Sequence, residues 1–177
     1  MKPTAIAIVG GKKSGKTTII ELLIRELTKR GFKVAAVKHI PELNFTIDKE
    51  GKDTWRFAEA GAKTVVSVAE DEIAKIEKVN TKNISVEQIL QTCRNNDLVF
   101  LEGFRKLIAQ EKDVIKIVVA NSREEALDAS KEFSPILAFT SLFPTQSLNL
   151  KAPYVNITKS PHKLVDLIEN AARKKAS

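Results

Sequence analysis

The chain has 177 residues, of which 43% are hydrophobic and 29% are charged, and its formal net charge is +7. This length and composition predict one globular domain, numbered 1–177, and are not typical of a disordered chain. One cysteine, Cys93, excludes an internal disulfide framework and a zinc site built on cysteines, and no apolar run approaches the roughly 18 residues that span a bilayer, so we expect a cytoplasmic protein.

Short runs rich in Val and Ile alternate with helical patterns, which predicts parallel strands joined by crossover helices. The first strand covers 4–9, and a helix over 16–30 follows it after a loop. A second strand is predicted over 33–38. The connection over 39–50 has no clear period, and a connection of that length is usually functional or mobile.

The later segments continue the alternation. A helix over 51–60 precedes two strands, 62–69 and 72–79, that can pair as a hairpin. Capping boxes at Ser85 with Gln88 and at Ser122 with Glu125 predict two further helix starts. The remaining predicted elements are strands over 97–101, 114–120, 135–140 and 154–157, an irregular stretch over 141–153, and a closing helix after Ser160-Pro161. The fold class expected is α/β, a P-loop NTPase-type three-layer sandwich with a mainly parallel sheet.

Residues 10–17, GGKKSGKT, match the pattern G-x-x-x-x-G-K-[ST] between a predicted strand and a predicted helix. Glycines there let backbone amides turn toward phosphates, and the positive end of the helix dipole faces the same anion. Lys16 is expected to reach the β- and γ-phosphates, and the Thr17 hydroxyl to bind Mg²⁺. The predicted phosphate-binding residues are Gly10, Gly11, Lys12, Lys13, Ser14, Gly15, Lys16, Thr17 and Thr18.

A P-loop needs a second acid at the magnesium ion, at the end of another strand. Glu102 ends the apolar run LVFLE, and Gly103 after it would let backbone approach the γ-phosphate. Asp97 begins the same strand and is therefore expected at the wrong edge of the sheet. We predict Thr17 and Glu102 as metal ligands, Lys16 and Glu102 as catalytic groups, and Gly103 as part of the nucleotide site.

The stretch 38–62 combines basic, acidic and aromatic side chains after the second strand. As a group it predicts a second anion-recognising surface for a substrate or partner. His39 could instead be only hydrogen-bonded at the strand end, and Trp55 could belong to the core. The residues assigned to this surface are Lys38, His39, Asp48, Lys52, Asp53, Trp55 and Arg56.

Four motifs, GGKKSGKTT, VKH, DKEGKDTWRFAEAGA and LEGFRK, occur in order over about residues 6–106 and together resemble the MobB family of molybdopterin-guanine dinucleotide biosynthesis. The resemblance implies a GTP- and Mg²⁺-binding accessory protein, a homodimer, that assists a guanylyltransferase and is at most a slow GTP hydrolase. It also implies that the Lys38–Arg56 region meets the pterin phosphate or the partner enzyme. The family often has a His/Asp-rich loop after Lys-His; here the loop reads IPELNF, so no metal site made of protein side chains alone is assigned to it.

Three alternatives stay open from the residues. A small-molecule or nucleotide kinase would use the same P-loop, although no arginine-rich lid is evident. A metallochaperone-type GTPase needs more histidine and cysteine than the two and one present. A nucleic-acid binder would explain the basic charge, but aromatic residues make up only 6% of the chain. The base is not readable, because the nearest guanine-type string, Thr158-Lys159-Ser160-Pro161, lacks its aspartate.

Overall fold

The computed structural model describes residues 2–142 and 150–176. Eight strands and six helices follow one another within these ranges. In chain order they are β1 (Thr4–Gly10), α1 (Lys16–Lys29), β2 (Val34–Lys38), α2 (Asp53–Glu59), β3 (Thr64–Val68), β4 (Ile73–Glu77), α3 (Val86–Thr92), β5 (Leu98–Glu102), α4 (Arg105–Ile108), β6 (Val114–Val119), α5 (Arg123–Glu132), β7 (Ile136–Ser141), β8 (Tyr154–Asn156) and α6 (Pro161–Ala176).

Six strands form one sheet in the order β2-β5-β1-β6-β7-β8, and every neighbouring pair is parallel. The chain leaves β1 toward β2 on one side, and later adds β6, β7 and β8 on the other side. The order therefore reverses around β1. In open α/β sheets this reversal opens a crevice at the carboxyl ends of the strands, where ligands bind.

The core lies between this sheet and two helices. Ile6 and Ile8 of β1 pack with Leu23 and Leu27 of α1 and with Ile168 of α6. Successive strand residues point to opposite faces. The buried residues of α3 and α5 lie outside that cluster, which agrees with helices on both faces of the sheet. The predicted α/β sandwich with a parallel sheet is confirmed. Within the described ranges, no helix has the length and apolar character needed to cross a membrane.

Contacts divide the chain into two compact units, one formed by 1–39 and 85–177 and the other by 40–84. The first contains the parallel sheet. The second contains α2 and the antiparallel pair of β3 and β4, in which Val65 is the buried residue. No composition change in the sequence marks this division. The expectation of a single domain stays a prediction.

Helix starts follow the predicted caps with one difference. Ser85 and Gln88 make both reciprocal hydrogen bonds of a capping box. Ser122 accepts from the Glu125 amide, but the Glu125 carboxylate accepts from the Asn121 amide at 2.8 Å rather than from Ser122. No sequence pattern predicted the four-residue helix α4. Within the stretch 141–153 predicted to be irregular, Ser141 ends β7, and residues 143–149 lie outside the described ranges.

A fully buried lysine lies in the middle of the apolar strand β6. The Lys116 ammonium donates to the carbonyls of Glu111 and Ser134, at 2.5 Å each. Burial lowers its pKa to about 8, and the nearby Glu111 carboxylate opposes that shift. Lys116 therefore ties the segments that precede β6 and β7 to the sheet.

Candidate functional site

The predicted phosphate loop connects β1 to α1 at the carboxyl edge of the sheet. Gly10 lies beside Val119 of β6, and a Cβ on Gly10 would come within 2.5 Å of the Val119 carbonyl oxygen. Gly15 is the residue before α1 and has φ +90°, a conformation that favours glycine. Lys13 also has a positive φ, 60°. The loop thus has the backbone geometry that turns amide groups toward an anion at a helix start.

The Lys16 side chain folds back over its own loop. Its ammonium donates to the carbonyl oxygens of Gly11, at 2.6 Å, and Gly10, at 3.3 Å. Burial lowers the Lys16 pKa; Glu102 opposes this, while Lys38 and Arg105 lower the pKa further. Several cationic side chains therefore converge around one carboxylate at the loop.

That carboxylate belongs to Glu102, the last residue of β5. Because β5 is hydrogen-bonded to β1, its carboxyl end lies beside the P-loop strand. The Thr17 hydroxyl donates to Glu102, with 3.2 Å to Oε1 and 3.3 Å to Oε2. The structure thus brings the two predicted metal ligands into contact, although they are 85 positions apart. Asp97 lies at the other end of β5, where its carboxylate accepts from the Lys33 amide at 2.7 Å.

The residues present fit a Mg²⁺–nucleotide complex. Mg²⁺ in such sites takes one or two protein oxygens and completes its shell with phosphate oxygens and water. A hydroxyl and a carboxylate in contact, Thr17 and Glu102, are such a pair. The buried Ser14 hydroxyl has no hydrogen-bond partner within the described ranges, so this loop contains polar capacity that the chain alone does not use.

The turn after Glu102 is tightly packed against the end of β2. Gly103 has φ +101°, and a Cβ on it would lie 2.6 Å from the His39 Cβ. The His39 amide donates to the Glu102 carbonyl at 2.8 Å, and the His39 ring lies 5.2 Å from the Phe104 ring. Phe104 itself has φ 23°. The backbone amide of His39 is thus hydrogen-bonded beside the P-loop edge while the residue stays exposed, so both interpretations of its side chain remain predictions.

Substituting Gly103 by alanine should destabilise the fold by about 1–2 kcal/mol and weaken nucleotide binding, because the new Cβ must move His39 and adopt a positive φ. Urea unfolding and nucleotide titration measure the two effects. Gly51 is the matched control: its φ is +82°, but nothing lies within 4 Å of its Cβ position. Equal effects of the two substitutions would show that backbone strain, and not contact with His39, dominates.

Arg105 and Phe104 are site-edge residues that the sequence did not single out. Arg105 begins α4, and its guanidinium forms a two-point ion pair with Glu132. The guanidinium carbon also lies over the Phe133 ring, 5.2 Å from the ring centroid. The string LEGFRK contained both residues, but nothing in it showed that Arg105 pairs with a carboxylate 27 positions later.

The predicted anion-recognising surface divides between the two units. Lys38 and His39 belong to the first, where the Lys38 ammonium lies 3.4 Å from Glu102 Oε1. Asp48 belongs to the second and is used internally, since its carboxylate accepts from the Lys49 amide and the Thr54 hydroxyl. The other members lie before or on α2: Lys52 precedes the helix, Asp53 and Arg56 form an exposed pair at 3.6 Å, and Trp55 is half-buried.

A cavity of about 340 Å³ opens at the opposite edge of the sheet. Thr4, Phe32 and Asp97 line it, and they lie at or just before the amino ends of β1, β2 and β5. Ligands of such sheets bind at the carboxyl ends, and phosphate loops bind through backbone amides on an open surface. The position of the P-loop at the carboxyl edge and its backbone amides, and not the size of a cavity, therefore locate the candidate site.

The fold and the loop together define a P-loop protein of the NTPase type. The sequence model of the family "MobB: Molybdopterin guanine dinucleotide synthesis protein B" matches residues 5–141. The chain belongs to this family.

The similarity to individual relatives extends over nearly the whole chain. The molybdopterin-guanine dinucleotide biosynthesis adapter protein of Haemophilus influenzae is 34% identical over 168 residues, which is 93% of this chain and 87% of the relative. A crystal structure of molybdopterin-guanine biosynthesis protein B superposes with a TM-score of 0.70 at 25% identity, covering 96% of this chain and 99% of that one. The Bacillus subtilis MobB structure, with a TM-score of 0.69 and 20% identity over 94% and 96% of the chains, is similar in fold.

Proposed function

We propose that this chain binds GTP with Mg²⁺ at the P-loop and assists a guanylyltransferase that attaches GMP to molybdopterin. Membership of the MobB family places the protein in molybdopterin-guanine dinucleotide biosynthesis. The observation that carries the nucleotide part is the contact between Thr17, at the start of the P-loop helix, and Glu102, at the end of the neighbouring strand. A cytoplasmic location, expected from the sequence, is part of the same proposal.

The side chains of the site have separable roles in this proposal. Amides of residues 11–16 and the Lys16 ammonium hold the phosphates, and Thr17 and Glu102 hold the metal ion, which neutralises phosphate charge when bound. Contacts of Glu102 with Thr17 and Lys38 support its role in holding the metal ion or its water. We expect slow hydrolysis at most, as the family resemblance implies.

The second unit is proposed as the partner surface. Lys52, Asp53 and Arg56 are exposed around the start of α2, and the preceding connection exposes three large apolar side chains. Exposed apolar groups rimmed by charge mark protein interaction sites. The apolar side chains are Leu43, Phe45 and Ile47. Partner enzyme and pterin phosphate are the two occupants that this surface is proposed to meet.

A homodimer is proposed through the β3–β4 hairpin. Val66, Val68 and Ile73 share the uncovered face of this two-stranded sheet, and Val68 and Ile73 are paired and more than 70% exposed. An isolated hairpin is marginal in water and gains stability from further strands or a covering element. A second copy of the same hairpin supplies a matching apolar face by two-fold symmetry.

The double substitution Val68→Asp with Ile73→Asp should convert the dimer to a monomer, because it places charges in the proposed apolar interface. Sedimentation velocity over a concentration series measures the mass. Leu127→Asp, at an exposed apolar position on α5, is the control and should leave the dimer intact. A dimer that survives the double substitution would place the interface elsewhere, and a monomeric unaltered chain would refute the dimer itself.

Calorimetry with GTP and ATP, each with Mg²⁺, tests the nucleotide part of the proposal. We expect clear preference for GTP, and binding that requires Lys16. A reconstituted guanylyl transfer reaction with molybdopterin and a guanylyltransferase tests the accessory role, with the chain expected to raise the yield of dinucleotide. Preference for ATP with phosphoryl transfer to an acceptor would favour a kinase, and no effect on guanylyl transfer would remove the accessory role.

A further inference from the structure

Contacts around Glu102 balance its negative charge at the mouth of the P-loop. The carboxylate accepts from the Thr17 hydroxyl and pairs with the Lys38 ammonium. The side chain of Glu102 is only 16% exposed, whereas that of Lys38 is 60% exposed. Lys38 is thus the member of this cluster that can move into solvent without disturbing packed groups.

We propose that Lys38 is a positioning residue that competes with the divalent cation for Glu102, so that metal loading releases the Lys38 ammonium. This inference rests on the proposed Mg²⁺–GTP function. Lys38 holds the Glu102 carboxylate at the mouth of the P-loop while the metal is absent. When Glu102 turns to the metal, Lys38 loses its partner and faces a second positive charge.

The register of the sheet makes this competition unavoidable. Lys38 is the last residue of β2 and lies directly opposite Glu102, the last residue of β5. Both side chains therefore project from the same edge of the sheet, and the Lys38 ammonium lies 3.4 Å from Glu102 Oε1. Like charges at such distances repel strongly when one partner is half-buried.

Release of the Lys38 ammonium from Glu102 matters because Lys38 lies just before the second unit in the chain. His39 follows it, and the second unit begins at residue 40. A freed ammonium at this position is available to an anionic group of the second substrate or the partner only when the metal site is filled. Lys38 would then couple metal loading to anion binding without any movement of the sheet.

The test is Mn²⁺ titration of the GDP-saturated chain, followed by the loss of the free-ion electron paramagnetic resonance signal. GDP is used because it lacks the γ-phosphate that a released ammonium could contact. Lys38→Met should tighten Mn²⁺ binding about two- to fivefold, since an ion pair with a solvent-exposed ammonium is a modest competitor. Lys33→Met, which removes the same charge just before the other end of β2, should leave the Mn²⁺ affinity unchanged.

A double-substitution cycle assigns the effect to Glu102. In a Glu102→Gln background the Lys38→Met effect should be clearly smaller, because the contested carboxylate is gone and only repulsion between the ammonium and the ion remains. Weaker or equal Mn²⁺ binding by Lys38→Met, or equal tightening in the Glu102→Gln background, overturns the inference while leaving the proposed function intact. Failure of the unaltered chain to bind GDP and Mn²⁺ at all overturns the proposed function, and the inference with it.

Discussion

Replacing Lys16 by alanine is expected to weaken Mg²⁺–GTP binding about 30- to 1000-fold, or about 2–4 kcal/mol, which is the range for a charge-assisted contact in a partly buried site. The Lys16 ammonium donates to the carbonyl oxygens of Gly10 and Gly11. Those contacts keep Lys16 within the loop, so little side-chain ordering remains to be done when phosphate binds. Calorimetric titration with GTP and with GDP measures the loss.

The pattern of the loss is more informative than its size. If Lys16 contacts both the β- and γ-phosphates, alanine should cost more affinity for GTP than for GDP. Lys16→Arg separates charge from geometry, because a guanidinium cannot replace a compact ammonium inside the loop. Lys33→Ala removes the same charge at the opposite edge of the sheet and should change GTP affinity less than twofold. A GTP affinity within threefold of normal in Lys16→Ala would contradict the assignment of the P-loop as the binding site.

Local sequence patterns predicted most strands and helices of the first unit, because each pattern is compatible with only one type of secondary structure. A strand, a glycine-rich loop and a helix from Lys16 placed the P-loop correctly, and α1 begins at that residue. The same reasoning separated Glu102 from Asp97, since parallel strands put all carboxyl ends at one edge. The hairpin of β3 and β4 also followed from two short runs divided by a polar turn.

The features that the sequence missed depend on partners far along the chain. Helix α4 has four residues and no side-chain cap, so its formation depends on packing, with Ile108 buried. Arg105 is held by Glu132 and Phe133, which no spacing rule connects to it. The division of the predicted anion surface at residue 40 likewise reflects contacts, whereas the sequence there has no linker composition.

Base choice could not be predicted for a different reason. Guanine-specific enzymes commonly carry the motif Asn/Thr-Lys-x-Asp after a late strand, and the string at 158–161 of this chain lacks the aspartate. The predicted strand over 154–157 is confirmed as β8, and Asn156 accepts from the amides of Thr158 and Lys159. That turn is therefore organised by the asparagine itself. The preference for GTP stays a prediction that rests on the family.

Lys116 is the clearest case in which sequence and structure give different information. Within the run VIKIVV an isolated lysine resembles an edge position, yet β6 lies between β1 and β7. The ammonium is tolerated because two backbone carbonyls, from Glu111 and Ser134, converge on it. Those carbonyls replace water only in part, since burial still lowers the pKa to about 8.

This burial predicts an alkaline gain in stability. The folded pKa of about 8 lies below the ordinary value of 10.5. Between these pH values the unfolded chain binds more protons, so the free energy of unfolding should rise with pH through this group. Relative to Lys116→Met, which lacks the titration, the unaltered chain should gain about 2–3 kcal/mol between pH 7 and pH 10. Urea unfolding of both proteins at matched pH measures the difference in their free energies of unfolding. The contributions of the other titrating groups cancel in this difference. A constant difference across that range would mean that Lys116 keeps an ordinary pKa, and that the two carbonyls solvate its ammonium as well as water does.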